Sequence, residues 1–262
     1  MRRDKRKICL SVALAAMILL LVCEMVGVAR IFGVEESSRL ALSLEMILTR
    51  FLGGAAFLAM LIHLGYKVLN PIRSPFLRSL LISLPAFVIA VNNFPFHAVI
   101  TGGARVNEGA PMVLLLLAEC MMVGFFEEIA FRGVIFLGIL KKNPEDKRWA
   151  FISIALSSVV FGLVHLVNLL ENSPSAVFLQ MGYSALIGAM CAVILLKTAN
   201  IWLCVLIHGL YNFAGAVIPR LGEGVIWDTF TVVLTVIVSL AVLAYMIVLF
   251  LKGKTRTTKE IY

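Results

Sequence analysis

Long apolar stretches broken by short polar ones run through the whole chain. About eight are long enough to cross a bilayer core of about 30 Å. They fall at roughly 8–29, 40–66, 79–97, 111–140, 150–167, 176–196, 201–218 and 229–251. The stretches are continuous rather than alternating at period two, which predicts helices and not a barrel. The third holds Pro85 and ends at Asn92-Asn93, so its limits are the least sharply marked. The fourth, about 30 residues, would be about 45 Å long as a straight helix. It must tilt, project or break, and Gly124, Gly133 and Gly138 are the positions to suspect. The first apolar stretch follows MRRDKRK and resembles a secretory signal, but at about 20 residues it exceeds a signal core, and no clear small-x-small site follows. It reads as a retained span.

Composition agrees with this reading. Of 262 residues, 61% are hydrophobic and 15% charged, where a soluble domain has about a quarter charged. The expected fold is all-α and polytopic, with about eight transmembrane helices. It divides into N-terminal helices over 1–110, a core over 111–218, and a last helix with a basic tail over 219–262.

The net charge of +8 would suggest nucleic acid in a soluble protein. Here the basic residues sit in short segments beside the spans, so orientation explains them and no nucleic-acid partner is implied. With the N-terminus inside, the inner segments hold Arg2, Arg3, Lys5, Arg6 and Lys7, then Lys67, Arg73 and Arg78, then Lys141, Lys142, Lys147 and Arg148. Lys197 follows, and then Lys252, Lys254, Arg256 and Lys259. The outer loops hold Arg30, Arg39, Arg105 and Arg220. A missed span would scramble this asymmetry, so an even span count with both termini cytoplasmic is expected, in a plasma membrane. The five cysteines, Cys9, Cys23, Cys120, Cys191 and Cys204, all lie in spans without a CxxC pair, and read as small apolar residues.

Charges inside apolar spans need a reason, because each is costly in hydrocarbon. Glu127, Glu128 and Arg132 fall in the fourth span. Glu128 and Arg132 are four residues apart and can pair along a helix, an architectural use. Glu127 is rotated about 100° from Glu128 and has no such partner, which makes it the better general base. Glu24, Glu45, Arg50 and Glu119 also lie in spans; Glu45 and Arg50 are expected to find partners on neighbouring helices. Of four histidines, His63 and His97 lie near span ends and read as structural. His165 follows Phe161 by four residues, and His208 precedes Asn212 by four. The second pair puts an imidazole and a carboxamide on one helix face, which suits either interhelical hydrogen bonding or a polar site. Counting from span ends puts Glu127 and His165 at similar depth, with His208 shallower by roughly 12 Å. Span seven would have to begin below the surface for all of them to meet.

Taken in order, Glu127-Glu128-Ile-Ala-Phe-Arg132, Phe161 to His165 and His208 to Asn212 resemble the three motifs of the CAAX protease and bacteriocin-processing (Abi) family of intramembrane glutamate-dependent endopeptidases. The run Leu196 to His208 is also similar, and the resemblance covers about Val113 to Ala214. It implies a peptide or protein substrate at the bilayer and no metal or other cofactor. By position, Glu127 and His165 would activate a water and His208 and Asn212 would stabilise the oxyanion, with Glu128, Arg132 and Phe161 supporting the site. Three rivals stay open: a catalytically silent scaffold, immunity or regulatory protein on the same fold; a zinc protease using the glutamate and histidines, although no HExxH is present; and a transporter.

Overall fold

The computed structural model describes residues 39–69 and 75–252, with Ser11 and Ala15 besides. The first expected span, Glu24, Cys9, Cys23, Arg30, Arg73 and the terminal basic clusters lie outside the described residues. Within them the chain is a helical bundle. It comprises α1 (Arg39–His63), α2 (Phe76–Asn92), the short α3 (Phe96–Ile100), α4 (Ala110–Glu128), α5 (Leu137–Leu140), α6 (Lys147–Val164), α7 (Pro174–Thr198), α8 (Ile201–Leu221) and α9 (Thr229–Lys252). A two-stranded antiparallel ribbon, β1 (Ala104–Val106) with β2 (Gly222–Gly224), pairs Arg105 with Glu223.

Five of the described helical stretches are long and apolar enough to cross a membrane: α1, Lys147–Leu170, α7, α8 and α9. Much of their outer surface is apolar: Val233, Ile237 and Leu240 of α9 and Phe151 and Val159 of α6 are exposed. A helix apolar on its outward side needs lipid there rather than water. The protein is thus an all-α polytopic membrane protein.

Local chemistry sets the helix limits. Asp146, Asn200 and Asp228 precede α6, α8 and α9, and their side chains accept hydrogen bonds from the amides of Arg148, Trp202 and Thr231 at 2.8, 3.0 and 2.7 Å; each satisfies an amide that has no partner within the helix. The third stretch, expected over 79–97, is helical from Phe76 and stops at Asn92, with Pro95 starting the separate α3. Pro85 is accommodated inside α2. The fourth stretch changes its winding around Gly133, one of the three suspected glycines. Its winding loosens to a π-helix over Ile129–Phe136, directly after the paired glutamates, and then resumes as α5. Such segments recur at functional positions because they re-aim side chains without ending the helix.

α4 is the centre of the bundle, packed chiefly against α8 and α1, while α6 packs on α7. Gly124 permits the first contact: a Cβ there would lie 2.8 Å from the Gly209 amide nitrogen and 2.9 Å from the Val205 oxygen of α8. The turn before α8 is also inside the protein, with Thr198, Asn200 and Ile201 all buried. Ala199 reverses the chain there in the left-handed conformation, φ 51°, which a non-glycine residue adopts at some cost. Span seven therefore starts from a turn packed inside the protein.

Candidate active site

The last turn of α4 delivers Glu127 and Glu128, and the following π-helical stretch delivers Arg132. Arg132 Nη1 lies 3.0 Å from Glu128 Oε1, with both side chains almost wholly buried. The guanidinium also stacks over the Phe161 ring, 4.3 Å from its centre. Phe161 of α6 is itself buried, and its ring meets Phe131 on one side and both histidine rings edge-on, at 5.2 Å for His165 and 5.7 Å for His208. The phenylalanine of the second motif is thus the spacer that separates the two imidazoles. Gly188 of α7 keeps room for this stack, since a Cβ there would come 2.6 Å from Arg132 Nη2 and 3.3 Å from Phe161.

His208 joins the two glutamates. Its Nδ1 is 2.7 Å from Glu128 Oε1, and its Nε2 is 3.4 Å from Glu127 Oε2. Glu128 and His208 are buried, whereas Glu127 keeps 16% of its side chain exposed. The adjacent carboxylates therefore have different surroundings. Glu128 is enclosed between a guanidinium and an imidazole; Glu127 touches the same imidazole from the other side and still reaches open space.

His165 begins a 3₁₀ turn at the end of α6. Its Nδ1 lies 2.9 Å from the Phe161 carbonyl oxygen. A carbonyl only accepts, so Nδ1 carries the hydrogen and the neutral ring presents a bare Nε2. The Ser184 hydroxyl of α7 is 3.5 Å from that nitrogen. No hydrogen bond or ion pair joins Glu127 to His165 among the described residues. Asn212 sits one turn beyond His208 on the same face of α8, half-buried. The structure thus brings Glu127, Glu128, Arg132, Phe161 and His208 into one connected cluster, with His165 attached through Phe161.

Several neighbours carry no motif. Tyr183 and Tyr211 pair across α7 and α8 with ring centres 6.0 Å apart. Both line an apolar cavity of about 480 Å³ between α2, α7 and α9. Cys191 of α7 and Cys204 of α8 lie behind Glu128, all three ligand-bearing atoms within 4.8 Å of one another. Tyrosines and cysteines scattered through apolar runs give no periodic signal that could have marked them in the sequence. Among the described residues the remaining charges Glu45, Arg50 and Glu119 acquire partners. Glu119 is bound by both Arg220 nitrogens, Nη2 at 2.9 Å, and Arg50 lies over the Phe126 ring at 5.0 Å.

Comparison with curated proteins and with solved structures returns no match. A protein-family model described as type II CAAX prenyl endopeptidase Rce1-like matches residues 109–214. The matched segment runs from the start of α4 into α8 and contains each of the three motifs and the whole cluster built above. Over these residues the chain is similar to the CAAX protease family of intramembrane proteases.

Proposed function

We propose that the protein is an endopeptidase in which Glu127 is the general base, His165 orients the attacking water, and His208 with Asn212 stabilises the oxyanion. The observation that carries this reading is the His208 bridge between the two glutamates. Glu128, paired with Arg132, accepts the Nδ1 hydrogen and fixes the ring. The contact from Nε2 to Glu127 then holds one proton between the ring and the carboxylate. As water attacks the peptide carbonyl, one of its protons passes to Glu127 and a C–O bond forms. Neutralising Glu127 releases the Nε2–H of His208, which turns to the new oxyanion beside the Asn212 carboxamide. Glu127 then gives its proton to the departing nitrogen as the C–N bond breaks, and the carboxylate is restored. The bare Nε2 of His165 accepts a hydrogen bond from the water and holds it at the carbonyl.

The substrate class is a peptide or protein segment presented at the membrane. The lysine-rich end of the bundle, and with it both termini, faces the cytoplasm of a plasma membrane. Peptides from membranes and medium of cells carrying the wild type and a Glu127→Gln variant provide the test. A fragment absent from the variant is expected. Purified variants Glu127→Gln and Asn212→Ala should lose about 10²-fold or more in cleavage. Identical peptide profiles for wild type, Glu127→Gln and His208→Ala would instead establish a silent scaffold.

A further inference from the structure

Behind the proposed catalytic groups lies a set of ligands the peptidase reaction does not use. Glu128 offers two oxygens. Oε1 faces Arg132 at 3.0 Å and His208 at 2.7 Å, but Oε2 is buried with no hydrogen-bond partner among the described residues. Leaving a charged oxygen desolvated and unpaired in a protein interior is costly. Two thiols lie close to this carboxylate. Cys191 and Cys204, both fully buried and free, place their sulfurs within 4.8 Å of each other and of a Glu128 oxygen. Cys204 Sγ donates to the Cys191 carbonyl at 3.2 Å, and among the described residues no hydrogen bond joins either sulfur to Glu128.

We propose that Glu128, Cys191 and Cys204 form a binding site for one thiophilic divalent cation, such as zinc, joining α4, α7 and α8. Two thiolates and a carboxylate would supply three of zinc's four tetrahedral ligands, with a water in the fourth place and bonds to sulfur of about 2.3 Å. Binding would draw the ligand atoms, now within 4.8 Å of one another, in around the ion. The neighbouring guanidinium does not oppose the ion. With both thiols ionised the ligands carry three negative charges, against two on the cation and one on Arg132, so exchanging two protons for the ion leaves the interior neutral. The cation would take Oε2 and leave Oε1 to Arg132 and His208, so that Glu128 is held from both sides. It would be a positioning device and not a catalytic metal. The ion enters as the helices assemble, because all three ligands are closed off in the finished bundle.

The experiment uses the full chain, purified in detergent without chelator from cells supplied with zinc. Elemental analysis should find about one zinc per chain, and zinc-edge X-ray absorption should show sulfur neighbours at about 2.3 Å. Cys191→Ser and Cys204→Ser should each lower zinc content at least about tenfold, while Cys120→Ser, which leaves this cluster intact, should retain it. Wild-type protein without zinc, or with zinc bound only by nitrogen and oxygen, overturns the proposal whether or not the variants fold. So does zinc retained in both cysteine variants. These readouts do not involve peptide cleavage, so they stand apart from the fate of the peptidase reading.

Discussion

At the scale of single residues, the adjacent glutamates are separated by what surrounds them rather than by chemistry. Glu128 is buried against Arg132 and His208; Glu127 keeps a partly open side. Breaking one member of a buried charged pair leaves the other uncompensated, so Glu128→Gln should destabilise the folded protein by about 3–5 kcal/mol. Glu127→Gln removes a longer, partly solvated contact and should cost less than about 1 kcal/mol, while being the variant that stops cleavage. Unfolding midpoints in one detergent, measured beside peptide cleavage, separate the two. Equal loss of stability from both substitutions would contradict the division. The spacing of Glu128 and Arg132 along a helix was enough to pair them from sequence. The second partner of Glu128 was not legible, because His208 lies 80 positions away and no local rule connects the two.

Elements set those distances, and α4 is where they are set. Its contact with α8 passes through Gly124, where the backbone of α8 leaves no space for a methyl group. Gly124→Ala should push the helices apart and cost about 1–3 kcal/mol through overpacking. It should also lower activity, since His208 lies on the displaced helix. Gly138, in α5, has open space where its Cβ would be, so Gly138→Ala should be neutral or stabilise by up to about 1 kcal/mol through the better helix former. Thermal unfolding of both variants checks the contrast. Both glycines looked alike in the sequence, as candidate breaks in an over-long span. What distinguishes them is the neighbouring helix, which composition does not report. The π-helical winding after Glu128 was equally hidden, as was the buried turn at Thr198–Asn200; hydropathy finds where a helix is but not how deep its connecting turn sits.

Across the whole molecule the two ends of the bundle differ in kind. One gathers lysines against aromatic rings, Lys141 over Tyr66 and Lys142 over Trp149, and brings Lys147 to the Leu251 carbonyl at the end of α9. The other is tied by Arg39 to Glu108 at 3.0 Å, Arg105 to Glu223 at 2.7 Å and His97 to Asp228 at 2.9 Å, beside the β-ribbon. Among the described residues these lysines are thus set apart from Arg39 and Arg105, although the ion pairs and the ribbon gave no periodic signal. Asp228 anchors α9 at this second end. The Thr231 amide first, and His97 second, hold its carboxyl below the usual carboxylate range. A group lowered on folding adds stability above its unfolded pKa and loses it as pH falls through its folded value. The start of α9 should therefore stay protected at neutral pH and loosen only in clearly acidic solution, as Asp228 takes up a proton. Amide exchange over Thr229 to Leu234, corrected for intrinsic rates, should fall in protection with acid in the wild type. In Asp228→Ala it should be low at every pH, because the cap and the link to His97 are already gone. A wild-type profile flat through the acid range would show that α9 is held by lipid contact and packing instead of by this carboxylate.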